Sequence, residues 1–293
     1  MHNARWWGRA RRAGFRKKAV DATLGLLYAG GWPSAVTRAV GLQGTLRVEE
    51  HEFFIGRASP NAPALRAVFV SDLHLGPTLH PRLRDGVFMA IAEARADVLL
   101  LGGDFVSFHA RYVDQLVEPL RALHPPMGKF AVLGNHDLLA DDGYITDRLA
   151  AAGVTTLVNA NARLAQPHDD VWVCGLDDWD EGDPQREPTF RGADGTRLLL
   201  MHQPDGLLVV GDERFDIAFC GHVHGGQFLT REGRSAISHR GPISKRYSRA
   251  GSFRIGERNV PLLVSRGIGT STLPARRHAD PQVHVCRLVP VAG

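Results

Sequence analysis

Ala67-Val68-Phe69-Val70-Ser71-Asp72-Leu73-His74 carries four apolar residues straight into a carboxylate and an imidazole, and the chain repeats this figure. Val98-Leu99-Leu100-Leu101 opens onto Gly102-Gly103-Asp104. Phe130-Ala131-Val132-Leu133 opens onto Gly134-Asn135-His136-Asp137, and Leu198-Leu199-Leu200-Met201 onto His202-Gln203-Pro204. Ile217-Ala218-Phe219-Cys220 closes the series with Gly221-His222-Val223-His224-Gly225-Gly226. Apolar runs of this length between turn formers are the pattern of strands buried on both faces. Between the first three, Leu83, Val87, Ile91 and Ala94, and then Val113, Leu116, Val117, Leu120 and Leu123, recur at helical spacing, which predicts two helices, the second kinked at Pro119. Strand, helix, strand, helix, strand implies right-handed crossovers and a parallel sheet, whose ligands bind beyond the carboxyl ends of its strands.

Each polar cluster taken singly reads as a turn or a satisfied histidine. Five of them at the same end of five strands converge on one site, which collects Asp72, His74, Asp104, Asn135, His202, His222 and His224. These are oxygen and imidazole donors without a thiolate, a set that suits Mn, Fe or Zn better than calcium or a cysteine-held structural zinc. Seven side chains are too many for one open catalytic ion. They are about right for two ions that share a bridging carboxylate.

The rest of the chain bounds the setting. At 293 residues, with 44% hydrophobic and 23% charged, it has the composition of a folded globular protein. Residues 1–18 hold seven basic side chains (Arg5, Arg9, Arg11, Arg12, Arg16, Lys17, Lys18) and no acid, which leaves 28 basic against 31 acidic residues elsewhere. The basic balance therefore belongs to an N-terminal arm, taken as residues 1–45, and not to a nucleic-acid-binding face on the body, residues 46–293. Trp6, Trp7 and Phe15 among those charges suit a segment lying on an anionic lipid surface. A solvated terminus and a twin-arginine export signal at Arg11-Arg12 are the alternatives. No stretch reaches the roughly 18 uninterrupted apolar residues of a membrane span. Cys174, Cys220 and Cys286, odd in number and set in apolar runs, read as buried free thiols of a reducing compartment. The expected location is cytoplasmic and peripheral at the inner face of the membrane.

The order Asp72-Leu73-His74, Gly103-Asp104, Gly134-Asn135-His136-Asp137, His202 and Gly221-His222-Val223-His224 resembles the calcineurin-like metallophosphoesterase family. Gly175-Leu176-Asp177-Asp178, Gly225-Gly226-Gln227, Arg246-Tyr247 and Ser265-Arg266-Gly267-Ile268-Gly269-Thr270-Ser271 look like its membrane-associated bacterial phosphodiesterase subgroup, of YkuE and YaeI type. The resemblance implies an α/β fold, a four-layer α/β/β/α sandwich with two mixed sheets, and places Val171–Cys174 and Val283–Leu288 in the second sheet. It implies two divalent metal ions, Mn foremost among Mn, Fe and Zn. One takes Asp72, His74, Asp104 and His224, the other Asp104, Asn135, His202 and His222, so that Asp104 bridges. It further implies in-line attack on phosphorus by a hydroxide held between the ions. His136 then protonates the leaving oxygen and Asp137 orients His136.

Substrate class follows from departures. Protein phosphatases of the family continue the second block as Gly-Asp-x-Val-Asp-Arg-Gly, whereas this chain reads Gly103-Asp104-Phe105-Val106-Ser107-Phe108, which disfavours phosphoproteins. The arm, with Phe105 and Phe108 as apolar surface beside a ligand, points to a lipid-linked phosphodiester or pyrophosphate, and the subgroup resemblance implies UDP-2,3-diacylglucosamine as an example. Arg266 and Arg276 are candidate phosphate contacts, with a structural salt bridge as the alternative. A soluble nucleotide phosphodiesterase and a non-catalytic metal-site scaffold are the competing readings.

Overall fold

All five apolar runs form strands, and they divide between two sheets. The computed structural model of the chain describes residues 8–10, 15–57, 62–230 and 241–292. Trp6, Trp7 and the Arg11-Arg12 pair lie outside the described residues, and the side chains of Phe15 to Lys18 are likewise undescribed. Two helices come first, α1 (Phe15–Leu27) and α2 (Trp32–Ala39). The first sheet takes β1 (Arg47–Arg57), β2 (Leu65–Val70), β3 (Val98–Leu101), β4 (Lys129–Ala131) and β5 (Val154–Thr156). Its crossovers contain α3 (Pro81–Glu93), α4 (Asp114–Arg121), α5 (Asn135–Leu139) and α6 (Asp142–Ala151). The second sheet takes β6 (Ala160–Arg163), β7 (Val171–Gly175), β8 (Thr196–Leu200), β9 (Ile217–Cys220), β10 (Gly251–Ile255) and β11 (Val260–Val264), after which β12 (Gln282–Ala292) returns to the first.

The orders are β1-β12-β2-β3-β4-β5 and β10-β11-β9-β8-β7-β6. β2 to β5 are parallel neighbours, while β12 runs antiparallel to β2 and parallel to β1. In the second sheet β7, β8, β9 and β11 are parallel and antiparallel β6 and β10 close the edges. Both sheets are thus mixed. One expectation is corrected: Val283–Leu288 belongs to the first sheet, where His284 faces Phe69 and Leu288 faces Leu65. The alternation along a strand says that it is paired but not with which partner. Pro119 stays inside α4, which a short 3₁₀ turn at Ala110–Val113 leads into.

Side chains on a strand alternate between faces, so strands buried on both sides must feed two cores. Ala67 and Phe69 of β2, with Val98 and Leu100 of β3, enter a core between the sheets beside Val173, Leu198, Leu200 and Phe219. Val68, Val70, Leu99 and Leu101 point the other way, onto Leu83, Val87 and Ile91 of α3 and Leu116 and Leu120 of α4. Leu199, Ala218 and Cys220 turn outward from the second sheet onto Val210, Phe215 and Tyr247. Three cores separate four layers, α/β/β/α. Phe69 and Phe219, with ring centroids 5.4 Å apart, join the two sheets at the middle. The three cysteines are buried free thiols. Among the described residues no helix is long and apolar enough to cross a membrane.

Candidate metal centre

Past their last sheet residues, β2 and β3 continue side by side. Asp72 N–H donates to the Gly103 carbonyl (2.9 Å), His74 N–H to Asp104 (2.9 Å) and Leu75 N–H to Phe105 (2.8 Å). Gly221 N–H donates to the His202 carbonyl (2.9 Å) in the same way after β8 and β9. These loops bring the polar residues of both sheets together at one edge. Five of the seven candidate ligands then take left-handed backbone: Asp72 (φ 52°), His74 (46°), Asp104 (51°), His222 (67°) and His224 (50°). Single non-glycine residues in that region are uncommon, Asp, Asn and His are the most tolerant of it, and such strain gathers at functional sites. Glycine makes room around them. A Cβ on Gly134 would lie 2.2 Å from Asp104 Oδ1, and one on Gly267, at φ 65°, 2.5 Å from Asp72 Cβ.

The donors fall into overlapping groups whose atoms lie within 4.8 Å of one another: Asp72, His74 and His224; His74, Asp104 and His136; Asp104, His202 and His222. His74 and Asp104 link them. Nε2 of His74 stands 3.1 Å from Nε2 of His224 and 3.4 Å from Asp104 Oδ2, and His202 Nε2 is 3.2 Å from that same oxygen. His202 Nδ1 lies 2.8 Å from the Gly102 carbonyl, which assigns the ring proton to Nδ1 and leaves Nε2 for the centre. Asn135 Oδ1 is buried without a hydrogen-bond partner among the described residues. Such an orphan acceptor costs about 1–3 kcal/mol unless something pairs with it. Two carboxylates and four imidazoles crowded at this range, with the unpartnered amide oxygen of Asn135 one residue before His136, fit divalent metal ions.

Burial disfavours charge on Asp72, His74, Asp104, His202 and His224, and their mutual fields then sort them. Burial pushes the Asp72 carboxyl up to about 6 against the pull of His202. It acts likewise on Asp104, but His202, His136 and His74 outweigh it and hold that carboxyl well below its ordinary value. Burial takes His74 down to about 3 despite Asp104, and takes His224 far down with help from His74 and Arg276. His202 goes the other way, because Asp104, Asp72 and Asp178 outweigh its desolvation. Neutral His74 and His224 and an ionised Asp104 are the states that metal binding requires, while His202 must release its proton to bind.

The remaining expected site residues fare differently. His136 is only partly buried, its N–H donates to Asp104 Oδ1 (2.9 Å), and its ring meets the edge of His74 at 4.8 Å between centroids. Asp137 is not placed as an orienter of that ring. Its Oδ1 accepts from the N–H groups of Phe105 (2.8 Å) and Val106 (3.3 Å), and its Oδ2 from Gly134 (2.9 Å), so it ties the second and third loops together. Phe105 is buried in the helix-side core and offers no surface to a substrate. Phe108 stays partly exposed against Tyr28. Arg276 forms no salt bridge among the described residues and does not reach solvent. It is buried and donates to the carbonyls of Arg266 (2.8 Å), Gly269 and Ala279 (3.0 Å), and its Nη2 lies 3.2 Å from His224 Nδ1. Arg266 is partly exposed, its stem against Gly225.

Three supports escaped the sequence reading. Ser107 Oγ lies 3.3 Å from His74 Nδ1. Asp178 receives the N–H groups of Asp180 and Glu181 and fixes Gln203 Nε2 (3.0 Å) next to His202. Segment 267–269 floors the site, with Gly269 N–H donating to the Asp72 carbonyl (2.7 Å). The Asp177-Asp178 and Ser265–Ser271 blocks were the visible signals for the last two.

An edge shared by two sheets and filled with buried imidazoles and carboxylates defines a candidate metal centre, and likeness to known proteins makes the chain a metal-dependent phosphoester hydrolase. The profile of the calcineurin-like phosphoesterases matches residues 65–226, and the chain belongs to that family. It is 31% identical over 239 residues to the phosphodiesterase YaeI of Escherichia coli (strain K12), covering 78% of this chain and 84% of that protein. Its identity to the uncharacterized metallophosphoesterase YkuE of Bacillus subtilis (strain 168) is also 31%, over 232 residues, 76% of this chain and 78% of the other. An uncharacterized metallophosphoesterase of Aquifex aeolicus (strain VF5) is 26% identical over 255 residues, 81% and 90% of the two chains.

Proposed function

We propose that the chain hydrolyses a phosphodiester or pyrophosphate carried on a lipid, with UDP-2,3-diacylglucosamine as the reference substrate, while resting on an anionic membrane surface. The observation that carries the hydrolytic part is the run of donor groups joined through His74 and Asp104. Asp72, His74, Asp104 and His224 would hold one divalent ion and Asp104, Asn135, His202 and His222 the other, with Mn favoured. Bound there, the pair would lower the pKa of a water and offset phosphate charge. Gly102 fixes the tautomer of His202, and Ser107 and Arg276 hold the rings of His74 and His224 from behind. His136, less buried than most of the set, carries the proton that the leaving oxygen needs.

The membrane part rests on an inverted helix. Trp32, Ala35, Val36, Ala39 and Val40 of α2 and its C-cap fall at i, i+3, i+4, i+7 and i+8 and are all exposed, whereas Pro33 and Ser34 are buried. An apolar stripe turned outward beside a basic segment suits a lipid interface. The test compares kcat/KM for a diacylated UDP-sugar in mixed micelles, its deacylated analogue and a cyclic nucleotide, with Mn supplied. Preference for the acylated compound is expected. Equal turnover would put a soluble nucleotide phosphodiesterase in its place, and metal binding without turnover of any of the three would leave a scaffold.

A further inference from the structure

Building on that hydrolase reading, we propose that the cleft between α1 and the turn at 108–112 seats one acyl chain of the substrate. The cleft has a volume of about 370 Å³, with Ala22, Gly25 and Leu26 of α1 on one wall and Phe108 and Tyr112 on the other. That volume lies within the range of small-ligand sites. Ala22, Gly25 and Leu26 share a helix face, and glycine at 25 is what keeps that wall back: a Cβ there would come 3.3 Å from Phe108 Cβ.

Phe108 holds its place at a cost. Its φ is 56°, a left-handed conformation that bulky side chains rarely take and that persists where surrounding structure enforces it, as at ligand clamps. Tyr28 packs edge-on against it at 6.1 Å between centroids, and Trp32 against Tyr28 at 6.1 Å, so the outward stripe of α2 and the cleft share one aromatic row. On its other side Phe108 follows Ser107, whose hydroxyl touches the candidate ligand His74. The cleft therefore joins the surface read as lipid-facing to the loop that supports the metal centre. Residues 1–45 hold eight basic side chains, of which Arg9 is held by Asp177 and Asp142, against the single acid Asp21; Asp21 and His109 line the cleft together with Arg111, an exposed cation. An anionic amphiphile with one chain in the cleft and its phosphate toward His74 matches this arrangement in both halves.

Two readouts separate the cleft from the chemistry. Full-length protein treated with chelator is titrated with dansyl-undecanoate, and the probe is displaced with lauric acid. The Mn-loaded protein is then assayed on methyl, hexyl and dodecyl p-nitrophenyl phosphodiesters below their micelle-forming concentrations. Each methylene that finds apolar surface adds about fourfold to affinity at ~0.8 kcal/mol per buried CH₂. A rise in kcat/KM of at least tenfold from methyl to dodecyl is expected, and saturable probe binding with it. Ala22→Phe, which fills the cleft, is expected to weaken the probe at least tenfold and flatten the chain-length series. Tyr112→Ala, which widens it, is expected to shift the preference toward longer chains, an opposite response that misfolding does not produce. The same chain-length profile and probe affinity in all three proteins would overturn the subsite while leaving the hydrolase intact. Probe binding without hydrolysis of any ester would instead overturn the hydrolase reading on which the subsite rests.

Discussion

Asp104 carries more of the site than any other residue. Its carboxylate stands within 3.4 Å of the Nε2 atoms of His74 and His202, receives the His136 N–H, and belongs to two donor groups. Asp104→Asn is expected to reduce bound metal to one ion or none and to abolish turnover, as read by elemental analysis beside hydrolysis of bis(p-nitrophenyl) phosphate. Two ions and near-normal rates in that variant would sink the bridging role. His136→Ala is expected to keep both ions while kcat falls on the order of 10² to 10⁴-fold. The loss should shrink as the leaving group improves, and a defect of equal size for good and poor leaving groups would remove His136 as the acid. Phe105 sits one residue away from Asp104 yet belongs to the core, at 1% exposure. Phe105→Ala is expected to cost about 3–5 kcal/mol of stability in denaturant unfolding. A change confined to KM, with stability intact, would return Phe105 to the substrate.

At the scale of elements, a piece of the basic arm proves to be part of the site's frame. Gly8 and Ala10 donate their N–H groups to the carbonyls of Leu139 and Leu138 (3.2 Å each), at the end of the helix that begins with Asn135 and His136. Between them, Arg9 sends Nη1 and Nη2 to the two oxygens of Asp177 (2.7 and 2.8 Å) and Nε to Asp142 (2.9 Å). This guanidinium is committed to protein carboxylates, so it is not one of the charges offered to lipid phosphate. It joins the start of α6 to the loop of Asp178, which steadies Gln203 beside His202. Arg9→Ala takes the counter-charge from Asp177, whose side chain is 1% exposed and whose Oδ2 keeps the Asp183 N–H (2.9 Å). A loss of about 1.5–3 kcal/mol is expected, together with lower kcat on a small soluble diester. Arg9→Lys should recover little of either, because one ammonium cannot reproduce the planar fork. Wild-type kcat and Tm in Arg9→Ala would show that the strap is ornamental.

Across the whole molecule, the two sheets meet at an edge crowded with buried donors, and metal ions that bind only the folded state must stabilise it. Free Mn at about a thousand times its dissociation constant adds about 4 kcal/mol. Chelation is therefore expected to lower Tm by several degrees and Mn to restore it, by calorimetry, with the effect lost in Asp104→Asn. Because His202 is held protonated by the carboxylates around it, uptake is also expected to release protons. A Tm indifferent to chelator and to Mn would count against a resident metal centre.

Much of this was legible in the chain itself, for a physical reason. β3 and β9 begin and end where the apolar runs at 98 and 217 do, since a strand buried on both faces needs an unbroken apolar run, and the donors follow because a parallel sheet exposes its carboxyl ends. Residue chemistry alone singled out seven candidate ligands, and the fold gathers the carboxylates and imidazoles among them into donor groups. What depended on distant partners was not legible. Nothing local to β12 says that it inserts beside β2, since its alternation fits either sheet. Phe105 follows a ligand, yet only the packing of β2, β3 and the crossover helices turns it inward. Arg276 feels the fields of Asp72 and Asp280 without pairing with either, and bonds to carbonyls instead. Arg9 reads as one more surface cation until Asp177, 168 residues away, closes on it. Periodicity and side-chain chemistry are properties of short segments, so the sequence determined the strands and the donors; hydrogen-bond partners far apart along the chain are selected by packing, and only the tertiary structure decided them.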